Sequence, residues 1–301
     1  MKGYKAFEKG MICRGKQYRE NTVFEEAAAE ICKRGMHFCK FPLDVLEYYP
    51  LVDEKGNISV FAEVEALGEA KTDDGKKYCT ERLKIGNEIT FAELVQASID
   101  EGNMENGNSA QIGSSGDRAR IGSSGYSAQI GSSGDWARIG SIGYSARIGS
   151  SGNSARIGSS GNSAQIGSSG NSAQIGSSGD SAQIGSSGDW AQIGSSGYSA
   201  RIGSSGYRAR IGSSGNSARI GSSGEYARIS SEGKNSVVCC AGANSWVKAK
   251  KGSWITLSEW GNNDEGEYVP ICVKTMQVDG ETIKEDTFYR LKNGEFVEVE
   301  D

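Results

Sequence analysis

The chain has 301 residues, a formal net charge of −5, 43 glycines and 3 prolines. Its length admits two domains, give or take one. No apolar run nears the ~20 residues of a membrane span, and Met1-Lys2-Gly3-Tyr4 opens without the apolar core of a signal peptide, which argues against a membrane or secreted protein. Its seven cysteines, an odd number, read as reduced thiols, so a cytoplasmic location is expected.

Charge divides the chain into three. Residues 1–107 carry 15 Lys+Arg against 20 Asp+Glu, residues 108–230 carry 10 Arg, no Lys and 5 acids, and residues 231–301 carry 8 against 13. The domains expected are an α+β unit over 1–107, a nonapeptide-repeat β-solenoid over 108–234 and a β cap over 235–301. The fold class is mainly β: a parallel β-roll with two nonapeptides per coil, capped by the α+β domain and a small antiparallel unit.

In chain order, Gly3–Phe7 and Met11–Tyr18 read as short strands. Thr22–Arg34, with Phe24-Glu25-Glu26-Ala27-Ala28-Ala29-Glu30-Ile31, reads as a helix that Asn21 could cap. Gly35–Cys39 reads as a strand, Pro42–Tyr49 as a short helix with proline at its start, Ser59–Ala66 as a strand and Phe91–Ala97 as a helix. Cys32, His37 and Cys39 are zinc-ligand types, but they lack a close cysteine pair and the chain has one histidine, so no metal or other cofactor is expected.

The Gly35-Met36-His37-Phe38-Cys39 and Pro42-Leu43-Asp44-Val45-Leu46-Glu47-Tyr48-Tyr49 segments resemble those of uncharacterised bacterial and phage proteins in which such a domain precedes short-period repeats. That resemblance covers roughly residues 1–100 and implies no established activity. More loosely, the order of an early strand, Gly-x-His-Phe, a helix and Phe61-Ala62-Glu63-Val64-Glu65 is similar to ADP-ribosyltransferase-like domains. That likeness implies Glu81 as a catalytic glutamate and His37 as a nicotinamide-cofactor contact, while His37 read on its own is a half-buried, satisfied histidine.

From Asn108 to Ile229 one unit, x-x-Ala-(Arg/Gln)-Ile-Gly-Ser-Ser-Gly, is written fourteen times. A fixed short period marks a solenoid, whose units bury apolar residues against their neighbours. Ala and Ile two apart give the strand period, and Gly-Ser-Ser-Gly gives a corner in which glycine can take positive φ. The residue before Ala tests the coil size. Alternate units read Ser109, Ser127, Ser145, Ser163, Ser181, Ser199 and Ser217, while the others read Arg118, Trp136, Ser154, Ser172, Trp190, Arg208 and Tyr226. Two units per coil place all the variety on one face, above a thin core of Ala and Ile. The repeats are similar to the head repeats of trimeric autotransporter adhesins. Calcium-binding nonapeptide rolls need an aspartate in every turn, where this chain has Asp117, Tyr126, Asp135, Tyr144 and Asn153, so no structural calcium is expected.

After Ile229 the pattern decays, although Asn244–Lys248 echoes it. Ser253–Trp260, Val269–Val278 and Thr287–Val299 then read as longer strands, with Asp279-Gly280 and Asn293-Gly294 as hairpin turns.

No phosphate-binding loop or catalytic constellation stands out, which leans the reading away from an enzyme. The informative surface is the variable face, with Arg118, Arg120, Trp136, Arg138, Arg156, Gln174, Trp190, Gln192, Arg208, Arg210, Tyr226 and Arg228 outward. Exposed tryptophan among arginines marks a contact site, unless it covers a loop from an end domain. The first expectation is a binding protein that docks a protein partner there or self-associates, and the phage resemblance suggests an inhibitor of a host defence system. The alternative partner is a nucleotide or nucleic acid, with rings stacking bases. The order Arg118, Trp136, Ser154, Ser172, Trp190, Arg208 is a palindrome, which suits a homodimer or a two-fold symmetric ligand held between the tryptophans.

Overall fold

The computed structural model describes residues 1–301 except 32, 52, 54–56, 58, 101–103, 106–108 and 300–301. Cys32 of the zinc reading and Asn108 of the first repeat lie outside the described residues. No helix among those described is long and apolar enough to cross a membrane.

Each repeat supplies one four-residue strand, and every strand pairs in parallel with the one eighteen residues on: Gln129 with Arg147, Ile130 with Ile148, Gly131 with Gly149. Two sheets therefore face each other. One runs from Gln111–Ser114 through alternate repeats to Val237–Cys240 and Trp254–Asn262. The other runs from Met104–Glu105 through Arg120–Ser123 to Trp246–Ala249. The register thus outlasts the consensus, because Val238, Val247 and Ile255 take the buried place of the repeat isoleucine.

Ala and Ile fill the interior as expected, but they share it with the first corner serine. Ser159, Ser177 and Ser195 are no more than 2% exposed. The corner also works differently from expectation. Its left-handed residue is the one before Ala, with φ 54–61° at Arg118, at Trp136 and in every unit from Ser154 to Tyr226. The glycine that ends each unit, from Gly134 on, is instead required by stacking. A Cβ on Gly170 would sit 2.0 Å from the Gly152 carbonyl oxygen one coil below, so only glycine lets coils approach to the ~4.8 Å strand spacing. The Asp or Asn that opens many units has a similar axial role: Asp135 Oδ1 accepts the Asn153 N–H and Asn171 Oδ1 accepts the Asp189 N–H.

The C-terminal segment closes the rod. Trp254–Asn262 pairs antiparallel with Tyr268–Gln277 on one sheet, and Tyr289–Lys292 with Glu295–Glu298 extends the other. Asn293 and Gly294, both at positive φ, form the expected hairpin turn. Asp279-Gly280 does not, since the chain there crosses from one sheet to the other; Asp279 Oδ1 instead accepts the Glu281 and Ile283 N–H groups.

The N-terminal unit is a six-stranded sheet in the order Thr22–Glu25, Arg82–Ile89, Val60–Ala66, Lys2–Phe7, Met36–Cys39, Lys77–Thr80. It carries a 3-10 helix, Pro42–Glu47, and an α-helix, Phe91–Asp100. The helix expected over Thr22–Arg34 is absent among the described residues. Thr22–Glu25 is a strand paired with Arg82–Ile85, and Phe24 packs 4.7 Å from Tyr18. Cross-strand pairing and ring burial outweigh the helix propensity of the alanine run. The Met11–Tyr18 stretch is a small hairpin, Ile12–Cys13 against Lys16–Gln17.

This unit lies along the side of the rod, not on its end. The α-helix contacts the strands Arg120–Ser123, Arg138–Ser141, Arg156–Ser159 and Gln174–Ser177. Ile142, which replaces a corner serine, joins the domain's core of Leu43, Leu46, Phe61 and Leu94. Phe91 nests on the glycine row, where a Cβ on Gly176 would come within 2.2 Å of its ring.

Candidate functional site

The variable residues separate into two rows. Arg120, Arg138, Arg156, Gln174, Gln192, Arg210 and Arg228 begin the strands of the sheet facing the N-terminal unit. Arg118, Trp136, Ser154, Ser172, Trp190, Arg208 and Tyr226 stand beside that sheet at the rod's corner.

The 3-10 helix takes up much of the first row. Arg138 Nη2 lies 2.7 Å from Asp44 Oδ1 and 3.0 Å from Glu47 Oε1, and Arg156 Nη1 lies 3.1 Å from Glu47 Oε1. Lys76 completes the group at 3.2 Å. Gln174 Nε2 donates to the Leu46 carbonyl at 3.1 Å, and the Arg120 guanidinium sits 3.9 Å over the Phe41 ring. The two carboxylates respond in opposite directions. Asp44, with no exposed side chain, is pushed up by burial despite Arg138 beside it. Burial also pushes Glu47 up, but Arg156, Lys76 and Arg138 together hold it below the usual carboxylate range. Burial lowers Arg156, against the pull of Glu47. These are charge-assisted contacts inside a dry seam, where the loss of one partner leaves buried charge behind. A second rod laid across this sheet would have to displace them.

The corner row remains open. Trp136 is 47% exposed and Trp190 46%. They stand three coils apart, ~14 Å along the rod at the ~4.8 Å spacing, with Ser154 and Ser172 at the two levels between. The Arg208 guanidinium lies 4.7 Å over Trp190, on the side away from the serines, with Tyr207 and Tyr226 beyond. The tryptophans thus bound a gap in a stacked row, with two levels where the side chain is too short to fill the space. Leu46, Glu47, Arg156, Gln174, Gln192 and Arg210 line the same hollow, whose volume is about 330 Å³. The Oε1 atoms of Gln174 and Gln192 are buried there and accept no hydrogen bond among the described residues. Further along, Tyr226, Arg228, Asn244 and Trp246 line a second hollow of about 290 Å³ with Arg208 and Arg210; Arg228 stacks 4.2 Å over Trp246. Arg118 lies outside both hollows.

Reading the sequence located the tryptophans and the basic rows. It missed Asp44, Leu46 and Glu47, and it missed Trp246 as a continuation of the row. Two signals pointed to the docked domain: Ile142 interrupts the Gly-Ser-Ser-Gly corner, and the buried side chain of Asp44 falls in an otherwise apolar Leu43-Asp44-Val45-Leu46 run. His37 lines a separate cavity inside the N-terminal unit, whereas Glu81 is exposed and outside that lining.

No curated protein and no solved structure matches the chain. Residues 1–97, the unit that docks on the rod, match the family model described as a domain of unknown function, DUF7666.

Proposed function

We propose that this chain is a binding protein that takes planar groups of the nucleobase kind into the gap between Trp136 and Trp190. The observation that carries the reading is the pair of missing levels, Ser154 and Ser172, in a row otherwise built of rings and guanidinium groups. Bases stack on aromatic faces whatever their sequence, at ~1–3 kcal/mol each. The buried Gln174 and Gln192 oxygens need donors, which the exocyclic amines of bases supply and phenyl rings do not. Arg208 and Arg210 are placed for phosphate. The second hollow, beyond Trp190, favours a ligand longer than one nucleotide. In the phage-associated setting that the resemblance of residues 1–100 implies, sequestration of a host nucleotide is the role such a site would serve.

A second reading, docking of a protein partner with Trp136 and Trp190 as anchors, rests on their exposure. The two part on one experiment, tryptophan fluorescence titrated with mononucleotides, linear and cyclic dinucleotides and short single strands across a salt series. Quenching that saturates, weakens with salt and disappears in a Ser154→Trp, Ser172→Trp double variant supports the nucleotide reading. Trp136 and Trp190 already occupy the same left-handed position, so the variant should fold. If no nucleotide or strand quenches the parent, the reading fails.

A further inference from the structure

The N-terminal unit contains a cavity of about 440 Å³ that the seam does not involve. Among the described residues its lining holds six Lys or Arg side chains and a single carboxylate, Glu26. Lys16 pairs with that carboxylate. This positive concentration occurs in a region that is acidic overall, with 15 Lys+Arg against 20 Asp+Glu over residues 1–107.

Three features make the cavity a built site. First, Lys5 forms part of its wall at 5% exposure. Its Nζ donates to the His37 carbonyl at 2.8 Å and lies 5.4 and 5.5 Å from the Phe7 and Tyr18 ring centres. Among the described residues no carboxylate pairs with it. A buried ammonium without a counter-ion is costly, and burial lowers its pKa. Second, Arg14 and Gly15 form the two-residue turn between Ile12–Cys13 and Lys16–Gln17, with φ of 50° and 75°. Such a turn favours Asn-Gly, and an arginine held left-handed costs of order 1 kcal/mol. The strained residue lines the cavity and makes no ion pair among the described residues. Third, the two segments that carry the resemblance of the domain both line this cavity: His37 and Cys39 from one, Tyr48 and Tyr49 from the other. Tyr49 Oη donates to Cys13 Sγ at 2.9 Å, and Lys77 lies 4.4 Å over the Tyr48 ring. His37 reports the field, since burial, and then Lys5, Lys77 and Arg14, push its pKa down to about 4.

We propose that this cavity binds the phosphoryl group of a phosphorylated small molecule, with Arg14 at the mouth, Lys5 in the wall and the Tyr48 and Tyr49 rings against the organic part. A multiply charged anion supplies the counter-charge that Lys5 lacks, and a guanidinium gives it two parallel donors. The same chemistry comes from a sugar phosphate or a nucleotide, so both belong in the test.

The experiment is calorimetric titration of the full chain carrying Ser154→Trp and Ser172→Trp, which fills the gap between Trp136 and Trp190 and keeps the two sites apart. The ligands are inorganic phosphate, ribose 5-phosphate and AMP, with ribose and adenosine as controls. Saturable heat from the phosphorylated ligands and none from the controls is expected, with AMP against ribose 5-phosphate telling a nucleotide from a sugar phosphate. Arg14→Asn suits the turn better than the parent residue, so its melting temperature should hold or rise while affinity falls about tenfold or more. A phosphorylated series that gives no heat up to millimolar concentration overturns the proposal. So does an Arg14→Asn variant that binds as the parent does.

Discussion

The two faces of the rod are written with the same nine residues, yet one is bare and the other is roofed by a domain. On the bare face Gln129, Arg147, Gln165 and Gln183 are exposed, and a Cβ on Gly131, Gly149 or Gly167 would meet nothing within 4 Å. On the roofed face Arg138 and Arg156 are 7% and 3% exposed, and the glycine row seats Phe91. The repeat therefore builds a platform without deciding what stands on it. Two departures from the repeat, Ile142 under the domain's core and tryptophan at the corner, and the Asp44 and Glu47 carboxylates set opposite consensus arginines decide that.

The largest expected effect comes from breaking the charged seam. Glu47→Gln leaves Arg138 and Arg156 buried with Asp44 alone, a loss that typically costs ~3–5 kcal/mol. Chemical denaturation should register it, and proteolysis should reach the helix Phe91–Asp100 sooner. Arg147→Ala on the bare face should change stability by less than ~0.5 kcal/mol. Equal effects at the two sites would mean that the domain does not rest on its ion pairs.

A smaller effect separates the glycine rows. Gly176→Ala forces Phe91 from its seat, and such overpacking costs ~1–3 kcal/mol. Gly167→Ala places its methyl in open space and should be close to neutral. Thermal melts of the two variants compare the faces directly, and a Gly176→Ala protein as stable as the parent would show that the helix Phe91–Asp100 sits loosely on the rod.

Much of this was legible because a repeat is its own control. The segregation of Ser109, Ser127 and Ser145 from Arg118, Trp136 and Ser154 gave the eighteen-residue coil directly, and the registers agree with it. Local chemistry misled where long-range contacts decide. The alanine run after Phe24 has helix propensity, but no local signal says that Thr22–Glu25 pairs with residues sixty positions on. Glycine suggested positive φ, yet stacking between coils is what excludes a side chain at Gly170. At the site, Trp136 and Trp190 stood out for being apolar on a polar surface. Glu47 did not, because nothing within the 3-10 helix shows that its partners lie ninety and more residues away.

The smallest expected effect tests the corners, which both faces share. Asp117, Asp135 and Asp189 invite a calcium reading, because acidic turn residues are what calcium rolls use. In this rod the carboxylate oxygen points along the axis and accepts the N–H of the next coil: Asp117 Oδ1 from Asp135 at 3.0 Å, Asp189 Oδ1 from Tyr207 at 2.8 Å. Asn153, Asn162, Asn171 and Asn216 do the same with a neutral amide. A role that the two side chains share is a hydrogen-bonding role and does not call for a cation. Asp189→Asn should therefore leave the melting temperature within about a degree of the parent, consistent with the small changes typical of surface exchanges. Melts of the parent with calcium and with chelator should superimpose. A rise of several degrees with calcium that Asp189→Asn and Asp135→Asn together abolish would show that the corner next to the Trp136 and Trp190 row holds metal, and would give that edge of the rod a cation to present to a phosphate.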